Sequence, residues 1–198
     1  MIILEAHKKQ AIHTAVFDFD GTIYDGDSSI DFWIFCLKCD FSLTRFLPNQ
    51  LLGIVLYKLR IENKEKFKSR YFSFFKGIKN IKQVVADFWN KNETKIKDWY
   101  KKIQKEDDCV ISASPEVLLA EVCNRLNIKN LIATKVDKKT GKLIGKNCHD
   151  KNKPEFFRQR FGNIEIEKFY SDSKSDLPMA KMAKEAFLVN GNIVKSWI

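Results

Sequence analysis

The sequence predicts an α/β fold, a Rossmann-like parallel sheet with an inserted α-helical cap, from three observations. Residues 13–19 form an apolar run that is typical of a buried strand and ends in carboxylates. Residues 28–107 then carry apolar side chains at helical spacing. Two later apolar runs, at 109–112 and 166–170, again end in polar residues. Strands that alternate with helices in this way are typical of a parallel α/β sheet.

The composition is that of a globular protein. A chain of 198 residues with a hydrophobic share of 44% suits one domain, or one domain with an insert. The five cysteines have no regular framework, and Cys36 and Cys39 lie in an apolar run, so we interpret them as free thiols. Residues 1–10 lack the apolar centre of a signal peptide, and no apolar run reaches about 20 residues. We therefore expect a cytoplasmic protein.

The formal net charge of +10 is compatible with an anionic partner such as a phosphate ester, a nucleic acid or a membrane surface. Most of this charge comes from lysines, which are typical of a solvated surface. No nucleic-acid-binding motif is present, so we predict no nucleic-acid partner.

Residues 25–107 have the pattern of a small helical bundle. Residues 30–37 predict a short buried helix, and residues 46–59 predict a largely apolar one with Pro48 in its first turn. We divide the chain into an α/β core, residues 1–24 and 108–198, and a helical cap, residues 25–107. Two apolar stripes predict two further cap helices: Phe67, Tyr71, Phe74, Phe75 and Ile78, ending at Gly77, and Val85, Phe88, Ile96, Trp99 and Ile103.

The first strand ends in two carboxylates, Asp18 and Asp20, followed at once by Gly21. Burying an unpaired carboxylate is unfavourable, so a strand that only forms core would not carry these residues. In open α/β sheets, ligands bind at the carboxyl ends of the strands. Asp18 and Asp20 are therefore candidate site residues.

The second strand, at 109–112, ends in Ser112. Ser114 is predicted as the N-cap of the next helix, with Pro115 at its first position. Ser112 then faces a helix N-terminus, where backbone N–H groups favour an anion.

Two more polar groups follow in the second half of the chain. Lys153 lies at the start of a predicted helix, and the strand at 166–170 is followed by Asp172 and Asp176. Three strand ends with polar groups indicate one site along the carboxyl edge of the sheet. The remaining predicted elements are a strand at 131–136, a hairpin at 138–145, a basic helix at 151–161, a helix at 179–186 opened by Pro178, and a last strand at 187–189.

These motifs resemble those of the haloacid dehalogenase (HAD) superfamily. The residues from Asp18 to Thr22, Asp-Phe-Asp-Gly-Thr, resemble its first signature, and Val110 to Ser112 its second. Residues 170–176 resemble the fourth. Lys153 is at the place of the third-motif lysine, with Lys146 and Lys151 nearby, and we choose Lys153 because it starts the helix.

The inserted helices and residues 147–148 are most similar to subclass IB, which contains phosphoserine phosphatase. The chain departs from that pattern at two places. Residues 171–176 read Ser-Asp-Ser-Lys-Ser-Asp where phosphoserine phosphatases have Gly-Asp-Gly-x-Asn-Asp, and Asp27 stands where they have a glutamate that holds the substrate amine.

The resemblance implies a phosphatase mechanism. Asp18 would be the nucleophile that forms an aspartyl-phosphate, and Asp20 the general acid and base. Ser112 and Lys153 would bind the phosphoryl oxygens, and Asp27 would contact the substrate from the cap side. Mg²⁺ would be bound by Asp18, Asp172 and the backbone carbonyl of Asp20, and by Asp176 directly or through a water.

The first functional hypothesis is a phosphoserine phosphatase-like enzyme for a small soluble phosphate ester. The alternatives are a phosphatidylglycerophosphate-like lipid-headgroup phosphatase at a membrane surface, since residues 46–57 are apolar beside a basic cap, and an anion-binding protein without turnover. Because the cap is rich in aromatic residues, we also predict a larger and less zwitterionic leaving group than serine. The sequence leaves the oligomeric state open.

Overall fold

A computed structural model describes residues 14–198 of the protein, and a six-stranded sheet lies at its centre. The strands are β1 (Thr14–Phe17), β2 (Cys109–Pro115), β3 (Asn130–Thr134), β4 (Ile166–Ser171), β5 (Ala183–Asn190) and β6 (Ile193–Ser196). Their order is β3-β2-β1-β4-β5-β6, and only the β5–β6 pair is antiparallel. The predicted α/β class with a mainly parallel sheet is confirmed. His13, predicted as the first strand residue, lies outside the described residues.

Eight helices connect these strands. Five of them lie between β1 and β2, and we call this part the helical insert. The helices of the insert are α1 (Ser28–Cys39), α2 (Leu47–Lys58), α3 (Lys64–Tyr71), α4 (Ile81–Asn92) and α5 (Asp98–Ile103). The others are α6 (Glu116–Arg125), α7 (Asn152–Phe161) and α8 (Leu177–Ala180). No helix within residues 14–198 is both long enough and apolar enough to cross a membrane.

The central position of β1 brings three strand ends to one place. Phe17, the last residue of β1, is in register with Val110 of β2 on one side and Tyr170 of β4 on the other. Both pairings are parallel, so the chain leaves all three strands at the same edge of the sheet. The residues that follow these strands therefore meet in space.

The helical insert and one face of the sheet share a hydrophobic core. Phe19, which follows β1, packs with Trp89 of α4 at 5.9 Å between ring centroids. The Trp89 indole N–H donates to the Leu118 carbonyl in α6 at 2.8 Å, which satisfies its one donor in the buried interface. A second core, around Phe157 and Met179, lies under the other face. The insert is thereby held over the sheet edge.

The sequence predicted one continuous helix for each of the two apolar stripes of the insert. This prediction is wrong, since both stripes are divided. The first stripe is divided between α3 and a 3₁₀ segment, Phe72–Gly77. A Cβ on Gly77 would collide with Leu43, so the close packing there needs a glycine. The second stripe is divided between α4 and α5 by a 3₁₀ turn, Glu93–Lys95. The turn lets the chain return to the loop after β1, where the Lys97 N–H donates to the Ile23 carbonyl at 2.8 Å.

The predicted helix at 179–186 is wrong in its second half. The helix that contains Pro178 ends at Ala180, and β5 begins at Ala183. Pairing with the neighbouring strand outweighs the local helical pattern, since Ala183 is in register with Ile166 of β4. Residues 138–145 form the predicted turn, but their return is a single bridge, Val136 to Leu143, and not a strand.

Candidate active site

The site begins in the loop that leaves β1. The Asp18 N–H donates to the Tyr170 carbonyl at 2.9 Å, which extends the pairing of β1 and β4 by one residue. The chain then turns sharply at Gly21, where φ is +70°. A Cβ at Gly21 would collide with the carboxylate of Asp172, so the glycine is required by both its dihedral angle and its neighbour. This turn places the first carboxylates beside the loop after β4.

Lys153 forms ion pairs with an acidic residue after β1 and with another after β4. Its Nζ lies 2.7 Å from Asp18 Oδ1 and 2.6 Å from Asp176 Oδ2, and the Ser171 hydroxyl donates to Asp176 at 2.8 Å. Of the three lysines considered from the sequence, Lys146 instead pairs with Glu155 at the surface. The structure therefore places Lys153 among the acidic residues, as predicted from its position at the start of α7.

Burial and charge oppose each other in this cluster. Burial raises the pKa of Asp18 to about 7; Lys153 lowers it and the charge of Asp176 raises it again. Burial lowers the pKa of Lys153, but the charges of Asp18 and Asp176 outweigh this effect and raise it above its usual range. The lysine therefore remains protonated. Two carboxyl groups face one ammonium group, so the cluster carries an excess of negative charge when both are ionised.

Asp20 is held by different partners from those of Asp18. Its Oδ1 accepts the Ser28 N–H at 2.7 Å, and its Oδ2 accepts the Ser114 hydroxyl. Burial raises the pKa of Asp20 to about 6, and the charge of Asp27 adds to this effect, whereas the two serine hydrogen bonds lower it. Asp20 is thus fixed in orientation and able to change protonation near neutral pH.

The predicted capping role of Ser114 is wrong. Helix α6 begins at Glu116 with Pro115 as its N-cap, and no side chain caps it. The Ser114 side chain instead points to Asp20 and lies 2.9 Å from Ser29 Oγ. The presence of the acidic loop after β1 outweighs the local capping pattern, because a buried carboxylate needs donors.

Ser112 is buried at the end of the regular part of β2. Its Oγ accepts the Ser114 N–H at 3.0 Å, and its hydroxyl lines the same cavity as Asp18. Beyond Ser112 the pairing with β3 shifts in register, so the chain bends around this serine.

Asp27 and Asp172 lie at the mouth of the site. Asp27 Oδ1 accepts the Ile30 N–H at 3.0 Å and thereby caps α1. The Asp172 N–H donates to Thr22 Oγ1 at 2.8 Å, which fixes the loop after β4 against the loop after β1. Thr22 was not considered as a site residue, although its place in the first motif could have indicated this role.

A cavity of about 650 Å³ brings all seven predicted site residues together. The helical insert contributes apolar side chains to its wall, among them Phe67 and Tyr71. The seven residues are Asp18, Asp20, Asp27, Ser112, Lys153, Asp172 and Asp176.

The cavity also contains basic residues that were not predicted. Lys68 Nζ donates to the Ala113 carbonyl at 2.6 Å and to Asn147 Oδ1 at 3.0 Å, and burial lowers the pKa of Lys68 to about 8. Lys64, one turn earlier on α3, lies 2.8 Å from His149 Nε2. Their spacing of four residues puts both lysines on one face of α3, which was the available signal.

The oxygen donors of the site match the preference of Mg²⁺ for carboxylate and carbonyl ligands. Asp18, Asp172, Asp176 and the backbone carbonyl of Asp20 would supply them, and the excess negative charge around Lys153 favours a divalent cation. Within the described part of the chain, no three His, Cys, Asp or Glu side chains are already gathered around one point. The donor set therefore fits the ion in its chemistry, and the carboxylates would have to close around it.

Fold and site together define an α/β protein with a carboxylate-rich site at the carboxyl edge of a mainly parallel sheet. The sequence model of the haloacid dehalogenase-like hydrolase family matches residues 15–181. The chain belongs to this family. A search of the curated proteins found no match.

Several solved structures share the fold at low sequence identity. A protein of unknown function from Bordetella pertussis Tohama I has a TM-score of 0.72 at 15% identity, covering 87% of each chain. A phosphoserine phosphohydrolase-like protein from Francisella tularensis has a TM-score of 0.59 at 17% identity, covering 91% of this chain and 88% of its own. A phospho-aspartyl intermediate analogue of phosphoserine phosphatase has a TM-score of 0.54 at 18% identity, covering 88% and 84%.

Proposed function

We propose that the protein is a Mg²⁺-dependent phosphomonoester phosphatase of the phosphoserine phosphatase-like subclass IB, acting through an aspartyl-phosphate on Asp18. The observation that carries the proposal is the position of Lys153 between Asp18 and Asp176 at the end of the central strand. A lysine in this place balances the acidic residues and leaves Asp18 beside a positive charge. A phosphoryl dianion needs such a charge to approach a carboxylate.

In the first step, an Asp18 carboxylate oxygen attacks phosphorus and the bond from phosphorus to the ester oxygen breaks. Asp20 donates its proton to the leaving alkoxide. In the second step, Asp20 accepts a proton from water, the water oxygen attacks phosphorus, and Asp18 is released as a carboxylate. A pKa of about 6 suits Asp20 to both roles near neutral pH.

The other site residues bind the phosphoryl group or the metal. Lys153 and the Ser112 hydroxyl would hold the phosphoryl oxygens through charge-assisted hydrogen bonds. When bound, Mg²⁺ would supply positive charge to the phosphoryl oxygens and to the clustered carboxylates. Its ligands would be Asp18, the Asp20 carbonyl, Asp172 and Asp176.

We propose that residues 25–107 act as a cap over a core of residues 1–24 and 108–198. The cap would exclude water and contact the leaving group of a small phosphorylated substrate. Phe67 and Tyr71 supply an apolar wall, and Lys64 and Lys68 supply positive charge. Asp27 faces the same cavity and would contact the leaving group, although its Oδ1 already caps α1.

The test is phosphate release from para-nitrophenyl phosphate, with Mg²⁺, by the wild type and by Asp18→Asn. We expect release by the wild type only. A wild type that binds inorganic phosphate but releases none from this ester or from a panel of phosphate monoesters would contradict the proposal. It would support the alternative of an anion-binding protein without turnover.

A further inference from the structure

The outer surface of α2 is apolar, whereas its inner surface is polar. On the inner side, Asn49 Nδ2 donates to Ser73 Oγ at 3.1 Å and Gln50 Nε2 donates to the Tyr71 carbonyl at 2.7 Å. This arrangement is the reverse of that in an ordinary surface helix. The residues that we call the outer face of α2 are 37% to 65% exposed: Leu51, Leu52, Ile54 and Val55 in the helix, and Leu59 and Ile61 directly after it.

Specific contacts fix this orientation of α2. Gly53 is buried, and a Cβ on it would come within 2.9 Å of Arg70 Cδ on α3. Arg70 is itself held by Glu62, at 2.8 Å from Nε, and by Asn49 Oδ1, at 2.7 Å from Nη1. The helix is therefore seated against α3 by a close backbone approach at Gly53 and by the hydrogen bond from Arg70 to Asn49, which leaves its apolar side facing outward.

Basic residues border the outer face at both ends, and α2 itself contains no acidic residue. Arg45 precedes the helix, Lys58 is its last residue, and Arg60 follows it. A groove of about 610 Å³ at the end of α2 is lined by Lys58, Arg60 and Lys66. Its one acidic lining residue, Glu62, is paired with Arg70. An apolar strip between cations is complementary to an anionic lipid surface, which offers acyl chains beneath phosphates.

The dimensions of α2 favour a position along a membrane surface. Its 12 residues span about 18 Å at the rise of an α-helix. The hydrocarbon core of a bilayer is about 30 Å thick. A helix of this length with one apolar side lies in the interface, with that side in the boundary between headgroups and acyl chains.

We propose that the outer face of α2 binds the surface of an anionic phospholipid bilayer, with Arg45, Lys58 and Arg60 at the lipid phosphates. The bound helix also places the candidate active site beside the membrane. Tyr57 of α2 stacks on Phe67 at 5.3 Å between ring centroids, and Phe67 lines the active-site cavity. The enzyme would then meet phosphorylated groups that are held at the lipid surface. Binding by α2 goes beyond the proposed phosphatase function and is measured without turnover.

Co-sedimentation with vesicles tests the proposal. We expect the wild type to sediment with vesicles of phosphatidylcholine and phosphatidylglycerol. Its affinity for vesicles of phosphatidylcholine alone should be lower by a factor of about ten or more. The double variant Leu51→Gln/Val55→Gln should bind the anionic vesicles about tenfold less than the wild type. Both side chains are exposed, so the variant should keep the circular dichroism spectrum of the wild type. The matched control is Ile144→Gln/Ile193→Gln, which changes two residues of 57% and 58% exposure elsewhere and should bind as the wild type does.

A second measurement places α2 in the membrane directly. The variant Leu52→Trp should show quenching of the added tryptophan by lipids with brominated acyl chains. A wild type that stays in the supernatant with anionic vesicles would overturn the proposal, and so would equal binding by Leu51→Gln/Val55→Gln. A dimer in sedimentation equilibrium that this double variant dissociates, without vesicle binding, would show instead that the outer face of α2 binds a second copy of the chain.

Discussion

The backbone N–H of Ser28, the first residue of the helical insert's first helix, donates to Oδ1 of Asp20 at 2.7 Å. This bond connects the start of the insert to the loop after the central strand of the sheet. Helix N-termini favour negative charge, so α1 stabilises the ionised form of Asp20, while burial favours the neutral form. A movement of the insert would change the protonation of Asp20. The insert is thus coupled to the protonation of Asp20 through this hydrogen bond.

Asp18→Asn should abolish phosphate release and leave the protein folded. The amide cannot attack phosphorus, and loss of a buried carboxylate with a pKa of about 7 should not destabilise the fold strongly. Phosphate release and thermal unfolding measure the two effects. Asp25→Asn, an exposed residue in the same loop, is the control and should keep activity. Activity of Asp18→Asn within about tenfold of the wild type would remove Asp18 from the nucleophile role.

Ser114→Ala should move the Asp20-dependent limb of the pH profile to higher pH. The Ser114 hydroxyl donates to the ionised carboxylate, and this bond lowers the pKa of Asp20 from the value that burial alone would give. Without the bond the proton is held to higher pH. The measurement is kcat/KM between about pH 5 and 8, on both sides of the Asp20 pKa of about 6. Ser196→Ala, at an exposed position of β6, is the control, and identical profiles for Ser114→Ala and the wild type would contradict the expected role.

The affinity for substrate should fall above about pH 8, because Lys68 loses its charge there. Burial lowers its pKa to about 8, so the side chain is charged below this value and neutral above it. An anionic substrate binds the charged form better, so KM should rise with pH through this range while kcat changes less. Lys68→Arg should extend the range to higher pH, since the guanidinium group stays protonated. Lys66→Arg, on the exposed side of α3, should leave the KM profile unchanged, and a Lys68→Arg profile like that of the wild type would contradict the prediction.

Removal of divalent cations should abolish activity, and Mg²⁺ should restore it. The acidic residues outnumber the one lysine among them, so a cation is needed to balance a bound phosphate. Ca²⁺ should inhibit, because it takes more ligands at longer distances and would draw Asp18 out of its line of attack. The measurement is phosphate release after dialysis against EDTA, with each ion added back. Full activity of the metal-free protein would contradict the mechanism.

The sequence predicted which residues meet in one cavity better than it predicted the elements around them. Asp18 and Asp176 follow strands, Ser112 ends the regular part of one, and the carboxyl edge of a parallel sheet brings such residues together. Ser114 was assigned wrongly because its partner, Asp20, is 94 residues away in the chain. Local capping rules contain no information about such a contact.

The errors in the elements have the same origin. Residues 183–186 have a helical pattern, but they pair with β4, which only the assembled sheet reveals. The apolar run at 46–59 predicted helix α2 correctly. The outward orientation of the apolar side of α2 depends on the packing of Gly53 against Arg70 of α3, and this contact between two helices cannot be read from the local sequence.

The nature of the leaving group is the last prediction. Free phosphoserine carries an ammonium and a carboxylate, and both are strongly hydrated, so a closed site must offer them a matching acid and base. The cavity offers Lys68 to a carboxylate, but its acid at the place expected for the amine is Asp27, whose Oδ1 already caps α1. Phe67 and Tyr71 form an apolar wall beside it. We therefore expect a larger and less zwitterionic leaving group than serine to be preferred.

The measurement is kcat/KM for phosphoserine against a set of apolar and polyol phosphate monoesters. Phe67→Ala should lower kcat/KM for the apolar esters more than for phosphoserine, because only the former use the apolar wall. Tyr57→Ala, which removes the ring stacked behind Phe67 without lining the cavity, is the matched control and should change the ratio less. A preference for phosphoserine of more than about tenfold, equal to about 1.4 kcal/mol in transition-state binding, would contradict the prediction. In that case Asp27 would have to bind the amine with its second carboxylate oxygen while the first still caps α1.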